Sequence, residues 1–173
     1  MNPQKMTQKD KQRRGEHGEA DITASLKKAG LWSHKLINAG YGTVFDKLVI
    51  PPGGGYAVEV KVRKEPTIGY NTKSITPNER KGLTHFENMV GKGHAFIIGI
   101  WKSGETYRAF LIPWHAVKDA VCSGVKGSIK MMEFPELKKI PGGWDMSWMK
   151  RGEENKWLKN TWFTQKDMKR RTT

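Results

Sequence analysis

The sequence predicts an α/β domain in which one central mixed β-sheet is covered by helices. Three observations point there. Two stretches rich in β-branched and aromatic residues, "TVFDKLVI" (43–50) and "YAVEVKVRK" (56–64), are joined by "PPGGG" and read as an antiparallel hairpin. The continuous apolar run "HAFIIGIW" (94–101) reads as a strand buried on both faces, and "TYRAFLIPW" returns from it across the turn "KSGE". Segments with helical spacing stand around and between these strands, the order expected of helices packed on a sheet. At 173 residues the chain is long enough for one domain with its own core.

Residues 1–14 carry five basic residues, one acid and almost no apolar side chains, and read as a flexible basic arm. Near Gly15 the pattern changes. Ile22, Leu26 and Ala29 follow Glu19 at near-helical spacing, and Gly30 is a stop, so a helix is expected over about 18–29. "WSHKLIN" is a candidate first strand and "AGYG" a loop. In the hairpin, Asp46 is expected in mid-strand. Across the turn, Val58, Val60 and Val62 share one face, and Glu59, Lys61 and Arg63 the other. Residues 65–77 are polar and contain Pro66 and Gly69, so a long loop is expected. "NERKGLTHFENMV" then reads as a helix with an inner stripe of Leu83, Phe86 and Val90, and "WHAVKDAV" as a short helix. "SIKMMEF" is a candidate edge strand and "IPGGW" a turn. Trp144, Trp148, Trp157 and Trp162 mark a C-terminal element expected to pack on the domain. The divisions are therefore 1–14 for the arm, 15–122 for the core and 123–173 for a basic, Trp-rich extension.

Charge narrows the partner. Lys and Arg number 31 against 17 Asp and Glu, leaving +14 and an isoelectric point near 9.9, which favours a polyanion and, by default, nucleic acid. No run of about 18 apolar residues exists to span a membrane. The N-terminus lacks the apolar segment of a secretory signal. The single cysteine, Cys122, excludes an intrachain disulfide and a Cys-cluster zinc site, and suits a reducing cytoplasm.

The chemistry-bearing residues lie on the hairpin, which can bring Asp46, Glu59 and Lys61 to one end of the sheet. Two carboxylates there make a hard-oxygen site suited to Mg²⁺ or Mn²⁺, completed by a backbone carbonyl such as that of Val60 and by waters. A lysine beside such a site can orient or help deprotonate a water, or stabilise charge on a phosphate. The bland alternative is a solvated sheet face whose cross-strand ion pairs are worth about 0.2–1 kcal/mol each. No histidine pair has zinc-ligand spacing, and His85 and His115 read as structural or exposed.

Asp-x12-Glu-x-Lys on adjoining strands resembles the PD-(D/E)xK nuclease motif. "GEHGEADI" (15–22) matches the G-x-x-x-E-x-x-I pattern that opens the first helix in Holliday-junction resolvases of the RecU and archaeal Hjc type. "HKLINAG" (34–40) resembles the basic strand and glycine loop that precede their aspartate. The strands from "HAFIIGIW" and "TYRAFLIPW" resemble their later strands. Where many members carry a glutamine after the lysine, "ITPNERKG" offers Asn78, Glu79 and Arg80 instead. The likeness covers about residues 15–118.

It implies a restriction-endonuclease-like fold and a Mg²⁺-dependent, structure-specific DNA endonuclease. Its substrate would be branched DNA, it would act as a homodimer, and it would work in the cytoplasm of a bacterial, archaeal or phage-infected cell. Mn²⁺ should substitute for Mg²⁺. Glu19 rather than Glu16 would join Asp46, Glu59 and the Val60 carbonyl around the metal, with Lys61 as the fourth catalytic residue. Arg13, Arg14, His34, Lys35, Asn38, Arg63, Lys64, Lys73, Arg80 and Lys81 are the expected DNA contacts. The rivals are another nuclease of the same superfamily, serving restriction, repair or end-processing, and a non-catalytic DNA-binding protein.

Overall fold

The computed structural model describes residues 7–36, 44–52 and 54–151; the expectations placed on Asn38, Trp157 and Trp162 lie outside them. Helix α1 spans Gln8–Lys28 and starts well before its apolar periodicity does. Thr7 caps it: the Thr7 hydroxyl accepts from the Asp10 amide, and the Asp10 carboxylate accepts from the Thr7 amide at 3.1 Å. Residues 8–14, expected in a flexible arm, are thus the opening turns of a capped helix. Apolar spacing could not show this, because spacing reports burial and this stretch is largely exposed.

The remaining elements are β1 (Trp32–Lys35), β2 (Lys47–Ile50), β3 (Tyr56–Arg63), β4 (Thr67–Gly69), α2 (Pro77–Val90), β5 (Ala95–Ser103), β6 (Thr106–Pro113), α3 (Trp114–Cys122), β7 (Ser128–Lys130), β8 (Lys139–Ile140) and β9 (Gly143–Trp144). Five strands form the main sheet in the order β1-β2-β3-β5-β6. The β3–β5 pair is parallel and its neighbours are antiparallel, so the sheet is mixed, with α2 in the crossover. Asp46 stands at the entry to β2 rather than in mid-strand. The expected loop at 65–77 contains β4, which pairs with β7 through Ile68 and Ile129. Of "SIKMMEF" only three residues are strand, and Met131–Glu133 is a short 3₁₀ turn. Three-residue strands are too short for a period of two to show.

Both faces of the sheet are covered, which is why every residue from Ala95 to Ile100 is buried. On one face, Val58, Val60 and Ile98 meet Ile22 and Leu26 of α1, together with Trp144 and Met149. On the other, Ala57, Ile97 and Ile112 meet Leu83 of α2 and Trp114 and Val117 of α3. Leu83 therefore lies inward as expected, but Val90, at the last turn of α2, is 42% exposed. Trp148 packs edge-on against Tyr56 and Phe96 with ring centroids 6.0 and 5.5 Å away. No helix of the described residues is long and apolar enough to cross a membrane.

Two glycines set the distances around the hairpin. A Cβ on Gly18 would stand 2.3 Å from Val62 Cγ2, so glycine lets α1 lie close against β3. A Cβ on Gly82 would stand 2.4 Å from the carbonyl oxygen of Val44, so α2 closes on the segment leading to Asp46. Glu19 and Glu79 are carried on these two helices.

Candidate active site

The β2–β3 register, which pairs Lys47 with Val58, places Asp46 beside the middle of β3. Asp46 Oδ2 accepts the Val60 amide at 2.7 Å, and the Asp46 amide donates to Glu59 Oε2 at 3.2 Å. Glu59 is 2% exposed. Its Oε1 is 2.7 Å from Lys61 Nζ, and the same ammonium donates to Glu79 Oε2 at 2.8 Å. Glu79 Oε2 also accepts the Thr76 amide at 2.9 Å, while Thr76 Oγ1 accepts the Glu79 amide at 3.3 Å. This reciprocal cap of α2 holds the Glu79 carboxylate against Lys61. The sequence spells the cap as T-P-N-E, and that motif fixes where the carboxylate turns; its second partner needed the fold.

The site is short of positive charge. Burial, with a smaller contribution from the Glu19 charge, pushes the Asp46 carboxyl up from 3.8 to about 6, against the Val60 amide, which favours the ionised form. Burial and then the Asp46 charge push Glu59 well above the usual carboxylate range. Burial acting alone would lower Lys61; the charges of Glu59 and Glu79 outweigh it and leave its amine above the ordinary lysine value. Lys47, which the sequence did not single out, is 3% exposed, next to Asp46 and paired across the strands with Lys35. Burial lowers its amine, and Glu19 and Asp46 oppose the shift.

Glu19 is within electrostatic reach of Asp46 but is paired with Lys35, its Oε2 2.6 Å from the ammonium. Among the described residues no three His, Cys, Asp or Glu side chains are grouped as the ligands of one ion. Asp46 and Glu59 are joined as a pair, and Glu19, bound to Lys35, lies close enough for its charge to act on Asp46. A pair of mutually repelling carboxylates, one buried and one half-buried, suits a hard cation. Mg²⁺ commonly takes one or two protein carboxylates and fills its octahedron with water and substrate phosphate. The Val60 peptide lies directly at the pair through its amide.

The expected DNA contacts divide. Arg13, Lys64, Lys73 and Lys81 are exposed, and Arg14 is half-buried. His34 is exposed and stacked on Trp32 with ring centroids 5.9 Å apart. Arg63 is half-buried and donates to the carbonyls of Val62 at 3.0 Å and Ser74 at 3.3 Å. Arg80 is turned inward: its guanidinium donates to the carbonyls of Ile75 at 2.9 Å, Val121 at 2.6 Å and Tyr70. Those bonds tie α2 to the β4–α2 loop and to the end of α3, so Arg80 holds the fold together where a phosphate contact was expected.

No protein-family model and no curated protein matches the sequence. Among solved structures, the chain is similar to the 1.6 Å structure of Hjc from Archaeoglobus fulgidus, a Holliday junction resolvase from an archaeal hyperthermophile. The TM-score is 0.51 and the identity 18%, over 79% of this chain and 97% of that one. The central mixed sheet flanked by helices is the fold of Hjc.

Proposed function

We propose that this chain is a Mg²⁺-dependent, structure-specific DNA endonuclease of the PD-(D/E)xK type, with a four-way junction as its substrate. The observation that carries the reading is the arrangement of Asp46, Glu59 and Lys61 at the β2–β3 hairpin. A buried and a half-buried carboxylate are held side by side with one ammonium, inside a chain of net charge +14. Solvated cross-strand ion pairs do not account for it, because Glu59 is buried and its pKa is raised. The likeness to an archaeal resolvase supports the fold on which such a site is built.

Asp46 and Glu59 would hold the cation, with the Val60 carbonyl and, on leaving Lys35, Glu19 as further oxygen donors. Mg²⁺ bound there supplies Lewis acidity at a phosphoryl oxygen and lowers the pKa of a water. Lys61 is kept as an ammonium by its two carboxylate neighbours. It therefore acts as a donor that orients a water or balances charge developing on the phosphate, and not as the base. Glu79 fixes the ammonium in place. Two active sites related by a two-fold axis would be needed to cut opposed strands symmetrically, which favours a homodimer. Titrating Mg²⁺ into the free protein by calorimetry tests the site directly: wild type should bind with saturation, and Glu59→Gln should not. Equal binding by both would remove the carboxylate pair from the metal site.

A further inference from the structure

A second concave site lies away from the carboxylate pair. It is a cavity of about 390 Å³ lined by Asp10, Arg13, Arg14, His17, Lys64 and Lys102, with Gly104 at its rim. Three elements build it. Residues 10, 13, 14 and 17 form one stripe of α1, since positions three and four apart share a helix face. Lys64 immediately follows β3, and Lys102 lies near the end of β5, next to it in the sheet. Helix and sheet touch at Gly18 against Val62, and the cavity opens beyond that contact.

The lining is strongly cationic. Its one acid, Asp10, is engaged by the Thr7 amide and hydroxyl, at 3.1 and 2.6 Å. Among the described residues no carboxylate lies within ion-pair distance of Arg13, Lys64 or Lys102. The Lys64 backbone is fixed by the Trp101 indole, which donates to its carbonyl at 2.8 Å. The Lys102 ammonium stands 5.1 Å over the Tyr107 ring. The concentration of cations around one hollow, against a single acid, favours an anion of matching charge density.

We infer that this cavity is a phosphate subsite for the nucleic-acid backbone, next to the cleavage site and separate from it. The inference rests on the nuclease reading for the identity of the anion. Arg14 and Glu19 are five residues apart on α1, which is about 7.5 Å along the axis. Phosphates of one strand recur about every 3.4 Å of duplex axis, so a strand running along α1 from Glu19, whose charge reaches Asp46, would meet the cavity within about two phosphates. The stripe of α1 and the ends of β3 and β5 would then set how the flanking backbone enters the site.

The test is salt-dependent binding of a four-way junction and a linear duplex in EDTA, comparing wild type with the double variant Lys64→Gln/Lys102→Gln. Lys92→Gln/Lys126→Gln removes the same charge from exposed positions outside the cavity and serves as control. Loss of one or two phosphate contacts should lower the slope of log K against log salt by about 0.9 to 1.8. Between 50 and 200 mM salt, that change makes the variant's loss of affinity roughly 3- to 12-fold smaller than wild type's. The control should keep a slope close to wild type. Equal slopes for both variants would overturn the inference, since the cavity would then contribute only net charge. Nicking by wild type in Mg²⁺ is measured alongside. Nicking with equal slopes removes the subsite and leaves the nuclease reading. No nicking with a lowered slope for the cavity variant removes the nuclease reading and leaves a nucleic-acid-binding cavity.

Discussion

Replacing Asp46 by asparagine should make the metal-free protein more stable while removing its response to Mg²⁺. Asp46→Asn keeps an oxygen that can accept the Val60 amide but removes a half-buried negative charge beside Glu59. The Asp46 carboxyl titrates at about 6 in the fold against an ordinary 3.8. A carboxyl whose pKa rises on folding binds its proton more tightly in the native chain. Its contribution is fully favourable below pH 3.8 and is lost as pH climbs through about 6. At about 1.4 kcal/mol per pH unit, the loss at pH 8 approaches about 3 kcal/mol. For a chain of this size that is about 6–12 °C in melting temperature. Thermal melts in EDTA at pH 8 should therefore show Asp46→Asn above wild type, with the gap closing as pH falls towards 4. Adding Mg²⁺ should raise the wild-type melting temperature, because a ligand that binds only the native state stabilises it, and should leave the variant unmoved. A variant less stable than wild type by the same amount at pH 8 and pH 5 would refute the reasoning. Asp46 would then be a structural acceptor for the Val60 amide and not half of a cation site.

Four further substitutions test the contacts. Lys61→Ala should lower the single-turnover rate of bound junction by about 100- to 1,000-fold. Its dissociation constant should change little, since one cation among 31 basic residues is removed; a loss confined to affinity would make Lys61 an ordinary phosphate contact. Glu79→Gln should preserve the cap of α2 and the melting temperature yet slow cleavage about 10- to 100-fold, the worth of a charge-assisted bond of about 1.5–3 kcal/mol. Thr76→Ala should do the reverse, costing about 1 kcal/mol in denaturant melts with little effect on rate. Trp144→Ala removes a side chain that is 1% exposed against α1 and should cost about 3–5 kcal/mol by chemical denaturation. A cost below 1 kcal/mol would mean that this tryptophan does not help fasten the segment after β7 to the core.

The features legible in the sequence were those where local pattern and tertiary burial agree. The run from Ala95 to Ile100 is apolar because both faces of β5 are covered. Glu59 and Lys61 face away from Val58 and Val60, as strand alternation requires, so their pairing could be expected before any coordinates. The misses occurred where pattern and burial part company. Gln8 to Arg14 have no apolar stripe, and only the cap at Thr7 marks the start of α1. The β4–β7 pair depends on a partner about 60 residues away, beyond the reach of local periodicity. Arg80 looked like a surface cation, yet three backbone carbonyls claim its guanidinium. Glu79 could be read as a helix cap but not as a partner of Lys61, because that contact joins residues from β3 and α2. Glu19 was expected in one cluster with Asp46 and Glu59; it lies within electrostatic reach of Asp46, and its ion pair with Lys35 could not be read from the sequence.

The central claim, that the Asp46–Glu59 pair supports hydrolysis of branched DNA, is tested most directly by cleavage of an end-labelled four-way junction. Wild type, Asp46→Asn and Glu59→Gln would each be assayed with Mg²⁺ and with EDTA, beside a flap, a linear duplex and a single strand of the same sequences. Paired nicks are expected at symmetry-related positions of the junction, by wild type alone and only with Mg²⁺, while both variants still bind the junction. Junction bound by wild type but uncut in Mg²⁺ and in Mn²⁺, or cut as fast by either variant, would contradict that claim.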